Sequence, residues 1–272
     1  MEEEFIDVVE EKPKPIIEEH FKKVFRTSVS ACKGCGSVLA LKMCLQLIEN
    51  PIIVFSKGCM SLLTKYPNTL DFKIFNAIPN PAAAATSLSR IFKDNNVVCF
   101  AGDGSTKENL QSLLFAAEKK ENFIYICYNN QGFCNIGKSS DNLLPLFAET
   151  VGMKAIYSAT ACISDYEDFS EKIKKAVSLK GVKFIEVLCP CPAVWKYDPS
   201  NTIEVAKLAV ETGVWPLYEI ENKKLSFTIP TRLESLERFL ETQGRFSTLS
   251  EEDKQNIKKN LEENLKSLSK RK

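Results

Sequence analysis

Apolar residues along this chain fall into two alternating rhythms. From Ser37 to Ile48 they recur at helical spacing, and Ile52 to Phe55 then makes a short unbroken run of the kind that forms a buried strand. The alternation continues with a helical stretch at Ala82–Phe92, a strand at Asn96–Ala101, a helix over Thr106–Lys120 and a strand at Asn122–Tyr128. In the Thr106–Lys120 stretch Leu110, Leu113, Leu114 and Ala117 share one face. A strand around Tyr157–Ala159, a helix near Glu167–Leu179, a strand near Lys183–Leu188 and a helix at Asn201–Thr212 extend the series. Strands apolar at every position are buried on both faces, and the amphipathic helices between them supply the two covering layers. The pattern predicts an α/β fold: a doubly wound, mostly parallel sheet. Leu217–Thr228 reads as a hairpin turning at Asn222-Lys223, and the charged residues after Leu233 predict a helical tail broken at Gly244. Pro13, Pro15 and dense charge before Phe21 make the first thirty residues an arm. The expected division is an arm over 1–30, the α/β unit over 31–220 and a largely helical extension over 221–272.

Composition narrows the partners. The chain has 272 residues, 44% of them hydrophobic, enough for one good core. With 36 basic and 35 acidic residues, nothing in the charge suggests nucleic acid or an acidic membrane surface. No apolar stretch approaches the roughly 20 residues of a membrane span. The opening Met1-Glu2-Glu3-Glu4 has the wrong charge for a signal or transit peptide, so a cytoplasmic location is expected. In that compartment ten cysteines point to metal binding or burial rather than to a disulfide framework. Cys99 and Cys127 lie inside apolar strands and Cys44 inside a helical pattern, so all three read as core. Cys134 and Cys162 stand in loop-like context and take no assignment.

Two sets of residues carry chemistry. In the first, Gly102-Asp103-Gly104 directly follows the strand ending at Ala101, and Asn129-Asn130 follows the next strand. Ligands of doubly wound sheets bind at the carboxyl ends of strands. Glycines let the backbone turn and approach a diphosphate, and the amides near Ser105 and Thr106 open the next helix toward that anion. Asp103, the Asn130 side chain and a backbone carbonyl near Gly132 offer the hard oxygens that magnesium takes alongside phosphate oxygens. Gly-Asp-Gly alone is no more than a turn; its placement one crossover from Asn130 is what makes it a ligand site. This arrangement resembles the diphosphate-binding motif of thiamine-diphosphate enzymes.

The second set is Cys32-x-x-Cys35, Cys59 and Cys191. Cys32-Lys33-Gly34-Cys35-Gly36 makes a tight loop before a helix, Cys59 follows a strand, and Cys191 follows another within Cys189-Pro190-Cys191-Pro192. Thiolates in this number suit zinc or an iron–sulfur cluster, and the spacing leaves both open. Beside a thiamine-type site the cluster is the better reading, because electrons leaving an organic cofactor need an acceptor.

Taken together, these residues resemble the beta subunits of 2-oxoacid:ferredoxin oxidoreductases, most closely the pyruvate and branched-chain type. The matching stretches are Ala31–Gly36, Gly58-Cys59-Met60 with Tyr66-Pro67, Gly102-Asp103-Gly104, Tyr128–Asn135, Cys189–Pro192 with Trp195, Val210–Glu219 and Gln243-Gly244-Arg245-Phe246. The resemblance implies oxidative cleavage of a 2-oxo acid to an acyl-coenzyme A, carbon dioxide and reduced ferredoxin. It implies that Cys32, Cys35, Cys59 and Cys191 hold a [4Fe–4S] cluster, with Cys189 the nearest competitor to Cys191. It further implies that Gly102, Asp103, Gly104, Ser105, Asn130 and Gly132 bind Mg²⁺–thiamine diphosphate. Asp103, Asn130 and the Gly132 carbonyl would contact the metal, and Asn135 would face the thiazolium and substrate.

The resemblance also implies a separate alpha subunit that supplies the carboxylate at the aminopyrimidine, with gamma- and delta-type subunits and ferredoxin completing the electron path; the lone His20 lies in the arm, which argues against histidine-based catalysis. The chain departs from relatives at Lys107-Glu108-Asn109-Leu110, Phe75, Pro79, Ile136 and a shortened Ser139–Thr150 segment. Those departures keep other readings open: the same chemistry on another 2-oxo acid, a cluster-bearing electron-transfer or scaffold subunit, or a zinc-stabilised nucleotide-binding domain.

Overall fold

In the computed structural model, which describes residues 24, 31–64, 72–77, 79–132, 143–229 and 235–271, each of the apolar runs becomes a strand of one sheet. The described strands are β1 (Pro51–Phe55), β2 (Lys73–Asn76), β3 (Asn96–Gly102), β4 (Phe123–Asn129), β5 (Tyr157–Cys162), β6 (Val182–Leu188), β7 (Tyr218–Glu221) and β8 (Lys224–Phe227). Their spatial order is β2-β1-β3-β4-β6-β5-β7-β8. The first six are parallel, and β7 and β8 join antiparallel at the far edge. Parallel neighbours need crossovers, and α2 (Pro81–Ile91), α3 (Asp103–Glu108), α4 (Leu110–Glu118), α5 (Ala148–Gly152) and α6 (Tyr166–Ser178) lie on them; α1 (Gly36–Leu47) precedes β1, and α7 (Pro192–Trp195) and α8 (Thr202–Glu211) lead from β6 to β7. The tail adds α9 (Leu236–Glu241) and α10 (Glu251–Ser269).

The strands bury both faces, as their composition requires. Ile53, Phe55, Val98, Phe100, Ile124 and Ile126 face the layer that contains α1, α6 and α8. Ile52, Val54, Val97, Cys99, Tyr125 and Cys127 face the layer that contains α2, α4 and α5. The tail is part of this body: Phe239 of α9 and Ile257, Leu261 and Leu265 of α10 join the first core, and Leu268 joins the second. The hairpin crosses residues 220 and 221, so the sheet runs past the point where the sequence reading closed the α/β unit. Its turn residues Asn222 and Lys223 both have positive φ, the conformation that suits the twist of a two-residue hairpin. Val24, the one described residue of the expected arm, is buried in the first core.

Three differences from the sequence reading have physical causes. The helix expected over Thr106–Lys120 starts at Asp103 and breaks at Asn109, whose amide side chain donates to the Ser105 carbonyl at 3.0 Å. Strand β2 carries no apolar signal because it is an edge strand, mostly exposed. α5 and α7 are single turns, too short for helical periodicity to register. Cys44, Cys99 and Cys127 are buried as expected, and Cys162 is buried with them. Cys134, Asn135, Ile136, Tyr66, Pro67 and His20 lie outside the described residues. No helix among the described residues is long and apolar enough to cross a membrane.

Candidate active site

Topology brings the two residue sets together. β1, β3, β4 and β6 are successive parallel neighbours, so their carboxyl ends lie along one edge of the sheet. Cys59 follows β1, Asp103 follows β3, Asn130 follows β4 and Cys191 follows β6. The chain steps outward from β1 to β2 and returns on the other side of β1 to form β3. The switch point, where ligands bind in doubly wound sheets, therefore falls between Cys59 and Asp103.

The turn after β3 is locked from beneath. Thr106, fully buried, donates its hydroxyl to the Gly102 carbonyl at 2.9 Å and contacts the Tyr125 hydroxyl at 3.2 Å. Gly102 has a reason of its own: a Cβ there would lie 3.0 Å from the Tyr128 ring, which stacks on Phe100 and fills that space. The Tyr128 phenol reaches Gly58 and the amide of Met60, tying the Cys59 loop to the Gly-Asp-Gly turn. Burial, then the nearby Cys59, raises that phenol, so it stays protonated. Asp103 is 6% exposed and near enough to Tyr128 and Cys127 to raise both. Ser105 is buried with its hydroxyl unpartnered, an orphan that a ligand oxygen would satisfy. Lys107 and Glu108 are exposed on α3, and Glu108 pairs with Lys57, so their side chains are carried on the outward side of the turn. Phe75 and Pro79 are likewise exposed.

The loop after β4 is held by a buried carboxylate that the sequence reading did not single out. Glu186 of β6 is fully buried and accepts from the backbone amides of Leu146, Phe147 and Ala148 and from Asn129 Nδ2, at 2.8–2.9 Å. Asn129 Oδ1 in turn accepts from the Gln131 amide, and Gln131 Nε2 donates to the Leu143 carbonyl. The network grips the chain on both sides of residues 133–142. Within its hold, Asn130 Oδ1 accepts from the Gly132 amide at 2.9 Å, bringing the two candidate metal-binding residues together. Gln131 Oε1 is a second buried orphan at this edge. Burial raises the Glu186 carboxyl, and its four donors act against that. The clue in the sequence is a glutamate in the middle of a strand buried on both faces. Glu186→Ala leaves four donors without an acceptor in a dry site, and about 1–3 kcal/mol per orphaned group makes a loss of about 3 kcal/mol or more the expected result of urea unfolding.

Among the described cysteines the four candidates are the accessible ones: Cys32 and Cys59 are exposed, Cys35 and Cys191 half-buried, while Cys189 is buried in the core. Burial raises the Cys35 thiol most, and Cys191 and Cys32 raise it further; the amides of Val38 and Ser37 at the start of α1 act against this. Cys59 is raised by burial and then by the same Cys191 and Cys32. The four sulfurs therefore share one electrostatic neighbourhood although they come from three distant segments. Gly34, at φ +66°, makes that possible: a Cβ there would meet the Pro199 carbonyl at 2.4 Å. Thr202 Oγ1 donates to the Gly34 carbonyl at 2.8 Å, and the Gly36 amide donates to the Pro190 carbonyl at 3.3 Å, which seats the loop against the Cys191 segment. Among the described residues no three Cys, His, Asp or Glu side chains are placed to hold a single metal ion.

Trp195 joins the two halves. It closes α7, whose first turn begins at Cys191, and its indole N–H donates to the Asn130 carbonyl at 2.8 Å. The sequence reading noted Trp195 as part of a motif but gave it no role.

The chain is similar to known proteins in sequence and in fold. Residues 58–187 match the family model of the thiamine pyrophosphate enzyme, C-terminal TPP binding domain. The pyruvate synthase subunit PorB of Methanocaldococcus jannaschii is 34% identical, over 91% of this chain and 97% of that one. PorB of Methanothermobacter marburgensis is 37% identical over 83% of this chain and 90% of its own. The ketoisovalerate oxidoreductase subunit VorB of Pyrococcus furiosus is 30% identical over 88% and 90%. Among solved structures, a 2-oxoglutarate:ferredoxin oxidoreductase from Magnetococcus marinus shares the fold with a TM-score of 0.57 at 17% identity, over 83% of this chain and 91% of that chain.

Proposed function

The chain belongs to the beta subunits of 2-oxoacid:ferredoxin oxidoreductases, and from that premise we propose that it is the Mg²⁺–thiamine diphosphate and [4Fe–4S] subunit of an enzyme acting on pyruvate. The observation that carries this reading is the single sheet edge on which four accessible thiols, Asp103 and Asn130 meet beside two buried orphan oxygens, Ser105 Oγ and Gln131 Oε1. Pyruvate is favoured over a branched-chain acid by the higher identity to the PorB relatives.

When bound, the thiamine cofactor supplies the carbon nucleophile that cleaves the 2-oxo acid, and the cluster receives electrons. The chain's own residues do the positioning. Asp103 and the Asn130 amide oxygen hold the metal with the Gly132 carbonyl, and Gly102, Gly104 and Ser105 meet the diphosphate. Trp195 fixes the Asn130 backbone, and Glu186 with Asn129 fixes the loop ends. Asn135, outside the described residues, keeps only the role that the family resemblance implies for it, toward the thiazolium and substrate. Cys32, Cys35, Cys59 and Cys191 hold the cluster; Cys189, buried in the core, does not. An alpha subunit supplies the activating carboxylate, gamma- and delta-type subunits carry electrons on to ferredoxin, and coenzyme A takes the acyl group, in the cytoplasm.

The test is an anaerobic visible spectrum of the complex containing this chain, repeated after Mg²⁺–thiamine diphosphate, coenzyme A and pyruvate are added. The expected result is a brown protein that bleaches. Bleaching only with a branched-chain 2-oxo acid would move the substrate. Brown colour with no bleaching by any 2-oxo acid would favour an electron-transfer or scaffold role, and a colourless zinc protein would overturn the cluster.

A further inference from the structure

The motif Gln243-Gly244-Arg245-Phe246 has no part in the reading above, yet it builds an unusual object beside the cysteines. Arg245 is 7% exposed. Its guanidinium lies 3.8 Å over the Trp195 ring and 4.5 Å from the Phe246 ring. Nε donates to Gln243 Oε1 at 2.7 Å, and Nη1 and Nη2 have no partner among the described residues. Gln243 is itself held by donating to the Phe239 carbonyl, and the Gly244 amide donates to the Lys196 carbonyl just past α7. The placement is thus enforced from several sides.

A buried guanidinium with unpaired N–H groups is costly. Stacking on two rings returns part of that cost. No carboxylate among the described residues acts on it; apart from burial, its one electrostatic neighbour is Tyr197. The link to the thiols is geometric: the Trp195 ring that Arg245 covers closes the turn capped by Cys191, and the Tyr197 ring meets Trp195 edge-on with centroids 6.3 Å apart. The Tyr197 hydroxyl reaches Thr202, which holds the Gly34 carbonyl of the cysteine loop.

We infer that Arg245 is a counter-charge for the cluster bay: it holds up the reduction potential of the proposed [4Fe–4S] cluster and so favours its acceptance of an electron. The inference rests on the cluster reading above. Four thiolates leave such a cluster negatively charged, and one-electron reduction makes it more so. A fixed cation in a dry neighbourhood stabilises the reduced form more than the oxidised form.

The experiment is an electron-paramagnetic-resonance-monitored potentiometric titration of the complex with dithionite, following the signal that Cys35→Ala removes. Arg245→Gln should lower the reduced-to-oxidised ratio at fixed potential about tenfold, or about 59 mV for one electron. Arg245→Lys places a lysine where burial favours loss of its proton, so its midpoint should recover toward that of the parent only as the pH is lowered. Should Arg245→Gln fail to fold, Gln243→Glu sets a carboxylate against the Arg245 Nε, neutralises the cation in place and should lower the midpoint in the same way. An unmoved midpoint in the charge-removing variants overturns the inference, as does an Arg245→Lys midpoint that shows no recovery relative to Arg245→Gln as the pH is lowered. A wild-type complex with no cluster signal would overturn the cluster reading itself, and the inference with it.

Discussion

Asp103→Ala abolishes magnesium-dependent binding of thiamine diphosphate while leaving the fold intact. Asp103 is the carboxylate at the end of β3 that faces the β4 terminus; Glu108, the next acidic residue, is exposed and paired with Lys57. Without it the metal keeps an amide oxygen and a carbonyl, two neutral donors, against a strong demand for hard oxygen ligands. A loss of affinity of about a hundredfold or more is expected, since even disturbing the partners of a ligand costs about 10–100-fold. The metal-free arm gives the sign. A carboxylate facing a bare diphosphate repels it, so Asp103→Ala should bind the metal-free cofactor no worse than the parent. Isothermal titration with and without Mg²⁺ separates the two, and equal Mg²⁺-dependent affinity in parent and variant would sink the metal assignment.

Cys35→Ala removes the iron–sulfur absorption and the bound iron, and Cys189→Ala and Cys99→Ala leave both in place. The separation follows from access. Cys35 is half-buried at the start of α1, within electrostatic reach of Cys191 and Cys32. Cys189 and Cys99 are fully buried in the cores on either side of the sheet. Burial pushes both thiols far up, so neither ionises readily to a ligand, and no cluster can reach them without opening the core. Those two variants should lose packing and some stability instead. Iron analysis and the visible spectrum of each purified complex read the difference. Comparable iron loss from Cys35→Ala and Cys189→Ala would mean that the loop Cys189–Pro192 presents the other sulfur.

The sheet was legible because its central strands are mostly apolar and its crossovers amphipathic, so each of those elements announces itself within a dozen residues. The elements that escaped are those whose cause is not local. β2 is an exposed edge, α7 is one turn, and the break at Asn109 depends on a single side chain turning back on its own helix. The glycine at 102 was legible as a glycine needed for close approach. What approaches it in the structure is the Tyr128 ring, a residue distant in sequence.

By itself, then, the chain's sequence determined the α/β class, the parallel sheet and the residue types able to meet a magnesium diphosphate or an iron–sulfur cluster. Hydrophobic period and motif spacing are local properties. Tertiary structure alone decided which of those residues share a place. The strand order lines up Cys59, Asp103, Asn130 and Cys191 on one edge and sorts Cys191 from Cys189 by burial. It also recruits Glu186, Trp195 and Arg245, whose roles rest on contacts 38 or more residues away. Such roles depend on what stands opposite a side chain once the sheet has formed, and no window of sequence contains that.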